Sequence, residues 1–457
     1  MKKVLIANRG EIAVRVIRAC HDLGLQTVAV YSTADKESLH VLLADEAVCI
    51  GEPQAVNSYL KIPNIISACE ITGADAVHPG YGFLSENANF ASICKSCNLE
   101  FIGPSDKTIS LLGNKAEAKA IAKSVKCPVI PGSDGIVQDV NEGLKEAAKI
   151  GFPIFIKASA GGGGKGIRVA YNEEDFLKKF IAARTESEAS FGNSDVYLEK
   201  MIVNPRHIEI QLIGDKHGNY VHLGERDCTI QRRRQKLIEE CPSPYITPQL
   251  RKKMGQAAVN IAKAAKYYSV GTVEFLVDEK KDFYFMEVNT RIQVEHTVTE
   301  EWTGVDLVRE QIRVAMGEKL PFRQKDIKFN GHVIQCRINA ENPTNNFTPS
   351  PGRLEHYIAP GGPGVRVDSA CYHGYLVSPY YDSMIAKLIN KGKDRKDAIA
   401  KSIRSLKEFH ITGVHSTIPF HLYMLKKNKE FLGGVDYSLE FVDSLIKAGC
   451  DFKADEE

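Results

Sequence analysis

The sequence predicts an α/β and α+β protein of several domains. An N-terminal parallel, Rossmann-like domain comes first, then a central α+β domain carrying a mobile lid, then a C-terminal β-rich domain. Three observations predict this. Short apolar strands alternate with helical stretches in the first third. A strand, glycine loop, strand, helix, strand run follows, leading into longer strands. Beyond Gly331 short strands dominate. With 457 residues the chain exceeds one ordinary core, so two to four domains are expected.

Val4–Ala7 reads as a strand, Glu11–Leu23 as a helix and Gln26–Tyr31 as a strand. Val48–Ile50, Ala76–His78 and Phe101–Ile102 repeat the short-strand pattern. That alternation implies βαβ units and a mostly parallel sheet. The first turn, Asn8-Arg9-Gly10-Glu11, lacks GxGxxG and gives little support to a dinucleotide site. Pro79-Gly80-Tyr81-Gly82 with Glu86 either borders a cleft or forms a plain Gly/Pro turn; the residues leave both open. Ser105 to Lys126 reads as helical. Ile154–Lys157 opens the α+β region. His207–Ile213 and Tyr220–Arg226 suit antiparallel pairing, and a helix spans about Thr247–Tyr268. Val333–Arg337, Arg353–Ile358 and Val365–Asp368 are strands of the last region, closed by helices from about Asp394. There is no internal repeat or low-complexity linker.

Lys and Arg number 59 against 57 Asp and Glu, so no global basic field points to nucleic acid or a membrane. The short apolar run after Met1-Lys2-Lys3 is not a signal peptide, and no segment reaches spanning length. Eleven scattered cysteines suggest reduced thiols and a cytoplasmic location. Cys94 and Cys97 have CxxC spacing but no partner pair, which favours a structural helix position over zinc. Cys228 differs in lying within a charged segment.

The most informative segment is Glu287-Val288-Asn289-Thr290-Arg291-Ile292-Gln293-Val294-Glu295-His296. It follows the apolar run Phe283-Tyr284-Phe285-Met286. So many polar groups at the end of a buried strand are costly unless metal or substrate satisfies them. A solvated loop after an edge strand is the plainer alternative.

The run Ala160-Gly161-Gly162-Gly163-Gly164-Lys165-Gly166 follows Lys157. Glycines allow backbone N–H groups to converge on an anion. Lys157 shares a strand face with Phe155 and needs an anionic partner. A flexible linker fits poorly between two strands. The loop is no P-loop, because Gly166 stands where Ser or Thr would follow the lysine.

Gly271–Val277 and Phe283–Glu287 flank Asp278–Asp282 and read as a β-hairpin. With the turn centred between Lys280 and Lys281, Glu274 and Glu287 oppose each other on one face. Two carboxylates so placed repel unless a cation lies between them. Asn289 shares that alternation. This oxygen set suits Mg²⁺ or Mn²⁺.

These residues resemble an ATP-grasp enzyme and, more narrowly, biotin carboxylase. Matching segments run in order along nearly the whole chain: Ile6–Ala13, His78–Asn87, Lys157 with the glycine run, Glu225–Cys228, Glu287–Glu295 and Cys336–Glu341. The resemblance implies an N-terminal pre-ATP-grasp domain at 1–113, an ATP-grasp domain at 114–329 with a lid at about 131–203, and a C-terminal domain at 330–446. It implies ATP-dependent carboxylation of biotin by bicarbonate through carboxyphosphate. Biotin would be held on a separate carrier protein, since no Met-Lys-Met tripeptide occurs and the chain ends at Glu457. The implied setting is the first half-reaction of acetyl-CoA carboxylase, for malonyl-CoA and fatty acid synthesis. A pyruvate or propionyl-CoA carboxylase is the alternative. Implied partners are the carrier and carboxyltransferase subunits and a second copy of the chain.

The resemblance also implies roles. Glu274, Glu287 and Asn289 would hold divalent metal, two Mg²⁺ or Mn²⁺ ions. Lys115, Lys157, Gly162, Gly163, Gly164, Glu199, Lys200, His207, Gln231 and Arg234 would contact ATP. Lys236, Arg291, Gln293 and Val294 would bind bicarbonate, Glu295 would be the base, and Arg337 would face the biotin ureido oxygen. Arg337 as a surface ion pair is the plainer reading. Arg234 departs from the family, which has histidine there, so nucleotide contacts would differ. Two rivals remain. Another ATP-grasp ligase would share the glycine loop and metal carboxylates but not the Arg291–Glu295 and Arg337 set. A silent nucleotide-binding regulator would have lost a metal carboxylate or the base, and Glu274, Glu287 and Glu295 are all present.

Overall fold

The computed structural model describes residues 1–158, 167–191 and 193–452. They form two compact units. One comprises Met1–Cys127, Arg206–Phe275 and Glu287 to the C-terminus. The other comprises Pro128–Pro205 and Leu276–Met286.

The first unit begins with the expected parallel sheet. Its order is Glu46–Gly51, Gln26–Ser32, Lys3–Ile6, Ala76–His78, Glu100–Phe101, and all four pairings are parallel. The central strands bury both faces, as the apolar runs Val4-Leu5-Ile6 and Val28-Ala29-Val30 require. Helix Gly10–Asp22 buries Ile12, Ala13, Val16, Ile17 and Cys20 at helical spacing against this sheet. The stretch read as helical from Ser105 to Lys126 holds two helices, Asp106–Gly113 and Lys115–Ser124, divided at Asn114. The Asn114 side chain accepts hydrogen bonds from the Ala116 and Glu117 amides and caps helix Lys115–Ser124. Cys94 is buried in helix Ala88–Ser96 with exposed Cys97 at its end, the structural role expected.

An eight-stranded sheet follows. Its order is Phe283–Asn289, Ser269–Val277, Arg206–Gly214, Tyr220–Arg232, Gln235–Cys241, His332–Asn339, Met384–Gly392, Val365–Ser369. Two of the strands read from the sequence as a third region, Val333–Arg337 and Val365–Asp368, thus continue the central sheet; the third, Arg353–Ile358, instead breaks into Gly352–Arg353 and His356–Ile358, which pair in separate two-stranded ladders with Leu376–Val377 and His410–Thr412. Two members of the eight-stranded sheet, Gln235–Cys241 and Met384–Gly392, were not anticipated. Gln235-Lys236 and Glu239-Glu240 mask the first as a polar turn, although Leu237 to Cys241 are all buried. Helices His296–Thr303 and Leu307–Ala315 were also unanticipated.

The second unit has a three-stranded antiparallel sheet, Ile167–Ala170, Ile154–Ala158, Val196–Lys200. Helices Val140–Ile150 and Glu173–Phe191 accompany it. Its core gathers Val137, Ala147, Ile154, Ile156, Phe176, Phe180, Val196 and Leu198. The hairpin turn corrects the expected register. The Asp278 amide donates to the Asp282 carbonyl and Lys281 is left-handed, so the turn centres on Lys280. A bulge residue at the turn shifts the count by one.

Candidate active site

Strand Arg206–Gly214 alternates Ile208, Ile210 and Leu212 with His207, Glu209 and Gln211, and every residue is buried. Alternation puts the three polar side chains on one face. Strand Tyr220–Arg232 adds Arg226, wholly buried. It donates to Glu209, to Gln211 Oε1 (2.5 Å), to Thr299 (3.0 Å) and to Gln293 Oε1 (2.6 Å). Lys236, from the unanticipated strand, donates to Glu209 (2.7 Å) and Glu274 (3.4 Å) and to Glu295. The Glu274 carboxylate also accepts from Asn289 Nδ2 (2.8 Å) and Gln293 Nε2 (2.8 Å). His207 Nε2 lies 2.9 Å from Glu274, while Gln231 Nε2 donates to His207 Nδ1 at 3.2 Å. Those partners select the tautomer with the proton on Nε2.

Arg337 lies in strand His332–Asn339. Its Nε donates to Glu239 (2.5 Å) and its terminal nitrogen to Glu295 Oε2 (3.0 Å). This is a buried bridge between two carboxylates, not a surface ion pair. Arg291 does not meet Glu295. It donates to Glu86 (2.9 Å) and to Asn289 Oδ1 (2.9 Å), so Glu86 borders the site. Val294 contributes its carbonyl, which accepts from Lys387 at 3.0 Å.

Burial alone would raise the Glu295 pKa. Lys236 first, then Arg337 and Arg226, outweigh it and hold the carboxyl well below its usual range. Glu274 is depressed likewise, with Lys236 and His207 overcoming burial. Glu239 goes the other way, because burial and the nearby Glu295 outweigh Arg337. Burial alone would lower Lys236, yet Cys228 and then the carboxylates of Glu209, Glu295 and Glu274 raise it well above the ordinary lysine value. Cys228 is pushed up by burial and Glu209, so it is a thiol rather than a nucleophile. Four carboxylates, Glu209, Glu239, Glu274 and Glu295, thus interlock with three cations, Arg226, Lys236 and Arg337.

A cavity of about 620 Å³ opens on this network. Lys236, Arg291, Val294 and Arg337 line one part of it, and Asn8, Arg9, Glu11, Tyr81 and Tyr381 another. The Pro79–Gly82 turn therefore borders a cleft as well as turning the chain.

The remaining sequence candidates fall elsewhere. Lys115 heads its helix and lies 3.7 Å from Glu287. Asn289 points to Glu274, so by alternation Glu287 belongs to the Glu274 face even though the turn is shifted. His207, Glu209 and Glu274 could together hold a cation, as could Glu209, Cys228 and Glu295. In the second unit, Lys157 pairs with Glu199 and lies over the Phe155 ring, its expected anionic partner being that carboxylate. Lys200 donates to the Gly151 (2.9 Å) and Phe152 (2.7 Å) carbonyls. Gly162, Gly163 and Gly164 lie outside the described residues. Arg234 forms, with Arg233, a two-residue hairpin turn in which both have positive φ. The reading from sequence missed Glu209, Gln211, Arg226, Glu239 and Lys387. The polar alternation of 207, 209 and 211 was the available signal for the first two.

Three family models match the chain in series: the biotin carboxylase N-terminal domain at 1–109, the carbamoyl-phosphate synthase L chain ATP-binding domain at 114–323, and the biotin carboxylase C-terminal domain at 335–444. Biotin carboxylase 1 of Bacillus subtilis is 55% identical over 445 residues, 97% of this chain and 98% of that one. The chain belongs to the biotin carboxylase family. It is an ATP-grasp ligase that carboxylates biotin at the expense of ATP. A pyruvate carboxylase subunit of Methanothermobacter thermautotrophicus is 52% identical, over 96% of this chain and 89% of that one. A solved biotin carboxylase domain dimer of Hydrogenobacter thermophilus 2-oxoglutarate carboxylase, in complex with MgADP, ADP and bicarbonate, superposes with a TM-score of 0.88. It is 49% identical and covers 98% of each chain.

Proposed function

We propose that Glu295 is the base that deprotonates bicarbonate and Arg337 the cation that stabilises biotin's ureido oxygen. One observation carries this. Glu295 is hydrogen-bonded to both Lys236 and Arg337, and both cations line one cavity. Bicarbonate entering beside Lys236 and Arg291 draws Lys236 toward itself. Glu295 then loses part of the field that depresses its pKa and becomes a stronger base where the proton is delivered. The bicarbonate oxygen attacks the γ-phosphorus of ATP, ADP leaves, and the proton passes to Glu295. Carboxyphosphate yields CO₂ and phosphate. The phosphate set free takes the N1′ proton of biotin, N1′ attacks CO₂, and the Arg337 guanidinium holds the oxyanion formed on the ureido carbonyl. Gln293 and Val294 position the anion.

Glu274, Glu287 and Asn289 supply the oxygen donors that Mg²⁺ or Mn²⁺ prefers, two of them carboxylates. Metal bound there would offset phosphate charge. Lys115, Lys157, Glu199, Lys200, His207, Gln231, Arg234 and the glycine loop are proposed nucleotide contacts. The chain divides functionally at 113/114 and 329/330, with a lid near 131–203. The acceptor system is acetyl-CoA carboxylase, with biotin on a separate carrier and carboxyltransferase subunits downstream; the pyruvate carboxylase relative keeps the second assignment open. The working form is a homodimer, as in the solved relative. Free cysteines, and the lack of any described helix long and apolar enough to cross a membrane, favour the cytoplasm.

The test is bicarbonate-dependent ADP release with Mg²⁺, with and without free biotin, in the native protein and in Glu295→Ala. Biotin stimulation with carboxybiotin formed, both lost in the variant, is expected. Biotin-stimulated turnover persisting in Glu295→Ala would overturn the role given to Glu295.

A further inference from the structure

Lys387 is buried outright, with 0% of its side chain exposed. It sits in strand Met384–Gly392, directly opposite Arg337 on one side and Asp368 on the other. Opposed residues share a sheet face, and two cations set side by side repel. A buried ammonium is tolerated only when paired and hydrogen-bonded. The two cations divide the available anions between them. Arg337 takes Glu239 and Glu295. Lys387 takes Glu11, 2.9 Å away, and the Val294 carbonyl at 3.0 Å, with Asp368 further off at 3.9 Å. A methionine or leucine would fill such a core position without desolvating a charge.

What the ammonium touches explains the choice. The Val294 carbonyl belongs to the peptide joining Val294 to Glu295. That peptide turns the chain into helix His296–Thr303, with Glu295 as its N-cap at φ −83°, ψ 8°. On the other side, Glu11 accepts the Tyr81 hydroxyl. Tyr81 and Val294 both line the cavity.

We propose that Lys387 is a positioning residue. Its hydrogen bond to the Val294 carbonyl fixes the peptide plane that aims Glu295 between Lys236 and Arg337, and its pairing with Glu11 holds the Tyr81 wall of the same cavity. The proposal rests on the reading of Glu295 as the base. A carboxylate misplaced by a fraction of an ångström loses the alignment on which proton transfer depends.

The test separates this hydrogen bond from mere charge balance. Lys387→Met alone strands the Glu11 carboxylate, so Glu11→Gln is added; the amide still accepts the Tyr81 hydroxyl. Bicarbonate- and biotin-dependent turnover is measured with melting temperature and the KM for ATP. The expected result for Lys387→Met/Glu11→Gln is near-native melting, unchanged KM for ATP, and kcat lower by about 10- to 100-fold, the scale of a displaced reacting group. Lys387→Gln/Glu11→Gln returns a donor toward the carbonyl and should recover part of that loss. A Met double variant within about twofold of native, a margin of roughly 0.4 kcal/mol, overturns the proposal. Equally low turnover in the two double variants overturns it too, since the loss would then follow the charge. Failure of both to fold would make Lys387 a folding residue only. Native protein showing no biotin-stimulated turnover would instead count against the proposed function.

Discussion

The two ends of the Glu274 face are built differently. Around Glu274 and Glu295 the carboxylates are buried, and each is gripped by two or more donors. At Glu287 the carboxylate is 40% exposed and its partner, Lys115, is 84% exposed at 3.7 Å. The first arrangement is rigid before substrate arrives. The second is loose and gains its order from what binds. Preorganised charge is worth most where a reaction creates charge, and an adaptable pair suits a metal nucleotide that must enter and leave.

The largest effect should come from breaking the rigid end. Lys236→Met leaves Glu209, Glu274 and Glu295 without their shared cation. Removing one partner of such a buried network costs about 3–5 kcal/mol, measurable by urea unfolding at neutral pH. The sign of the pH dependence follows from Glu295. Its folded pKa lies below its unfolded one, so its contribution is present above the unfolded value and fades as pH falls toward the folded one. The native advantage over Lys236→Met should therefore shrink below about pH 4.3, the ordinary glutamate value. If enough variant folds to assay, the acid limb of its bicarbonate kcat/KM should move to higher pH, because Glu295 loses the cation that holds it down most and keeps only Arg337 and Arg226. A constant stability gap across that range would contradict the coupling.

Arg337→Ala should come next. It removes the oxyanion partner but leaves Lys236 on Glu295. Biotin carboxylation should fall about 10²–10³-fold, the range for losing one oxyanion donor, with ATP binding unchanged by calorimetry. Equal losses in both would mean that Arg337 only holds the sheet together through Glu239.

The same contrast explains what could be read from the sequence. The Glu287–Glu295 segment announced itself because its polar residues are consecutive and follow an apolar strand. The parallel N-terminal sheet was legible from apolar runs, which are buried on both faces and need no partner to identify them. Glu209 and Lys387 stand singly within strands, and Arg226 and Glu239 have charged neighbours, Glu225 with Asp227 and Glu240, that make their strands read as polar. Each looks like a solvent-facing alternation until the opposite face proves buried as well. Their roles exist only across strands, in register with residues far along the chain, as with Arg337 beside Lys387 and Asp368. The hairpin at Asp278–Asp282 is present as read, and only its turn centre was misplaced, since one left-handed residue, Lys281, shifts the count. Resemblance to the family bridged part of this gap by naming Lys236 and Arg337, but of the carboxylates that hold them it left Glu209 and Glu239 unnamed.

Glu287→Gln tests the loose end. An exposed substitution should change stability by less than about 0.5 kcal/mol. It should raise the Mg²⁺ concentration needed for half-maximal turnover, on the order of tenfold, as loss of one ligand charge implies. A large drop in melting temperature would show that this end is as rigid as the other.

The smallest effect belongs to Arg234. Arg233 and Arg234 occupy both central positions of a tight hairpin turn with positive φ, and both are exposed. Such positions favour asparagine, aspartate and glycine; histidine also tolerates them better than most residues. Arg234→His should therefore leave the fold intact or slightly firmer. Any hold of Arg234 on the nucleotide is that of an exposed charge, worth about 0.2–1 kcal/mol and weakened by salt. The KM for ATP should accordingly rise by no more than about fivefold, the factor matching that energy, with kcat unchanged and the difference disappearing at high ionic strength. An unchanged KM at low salt would remove Arg234 from the nucleotide contacts. A fall in kcat would place it in the rigid end instead.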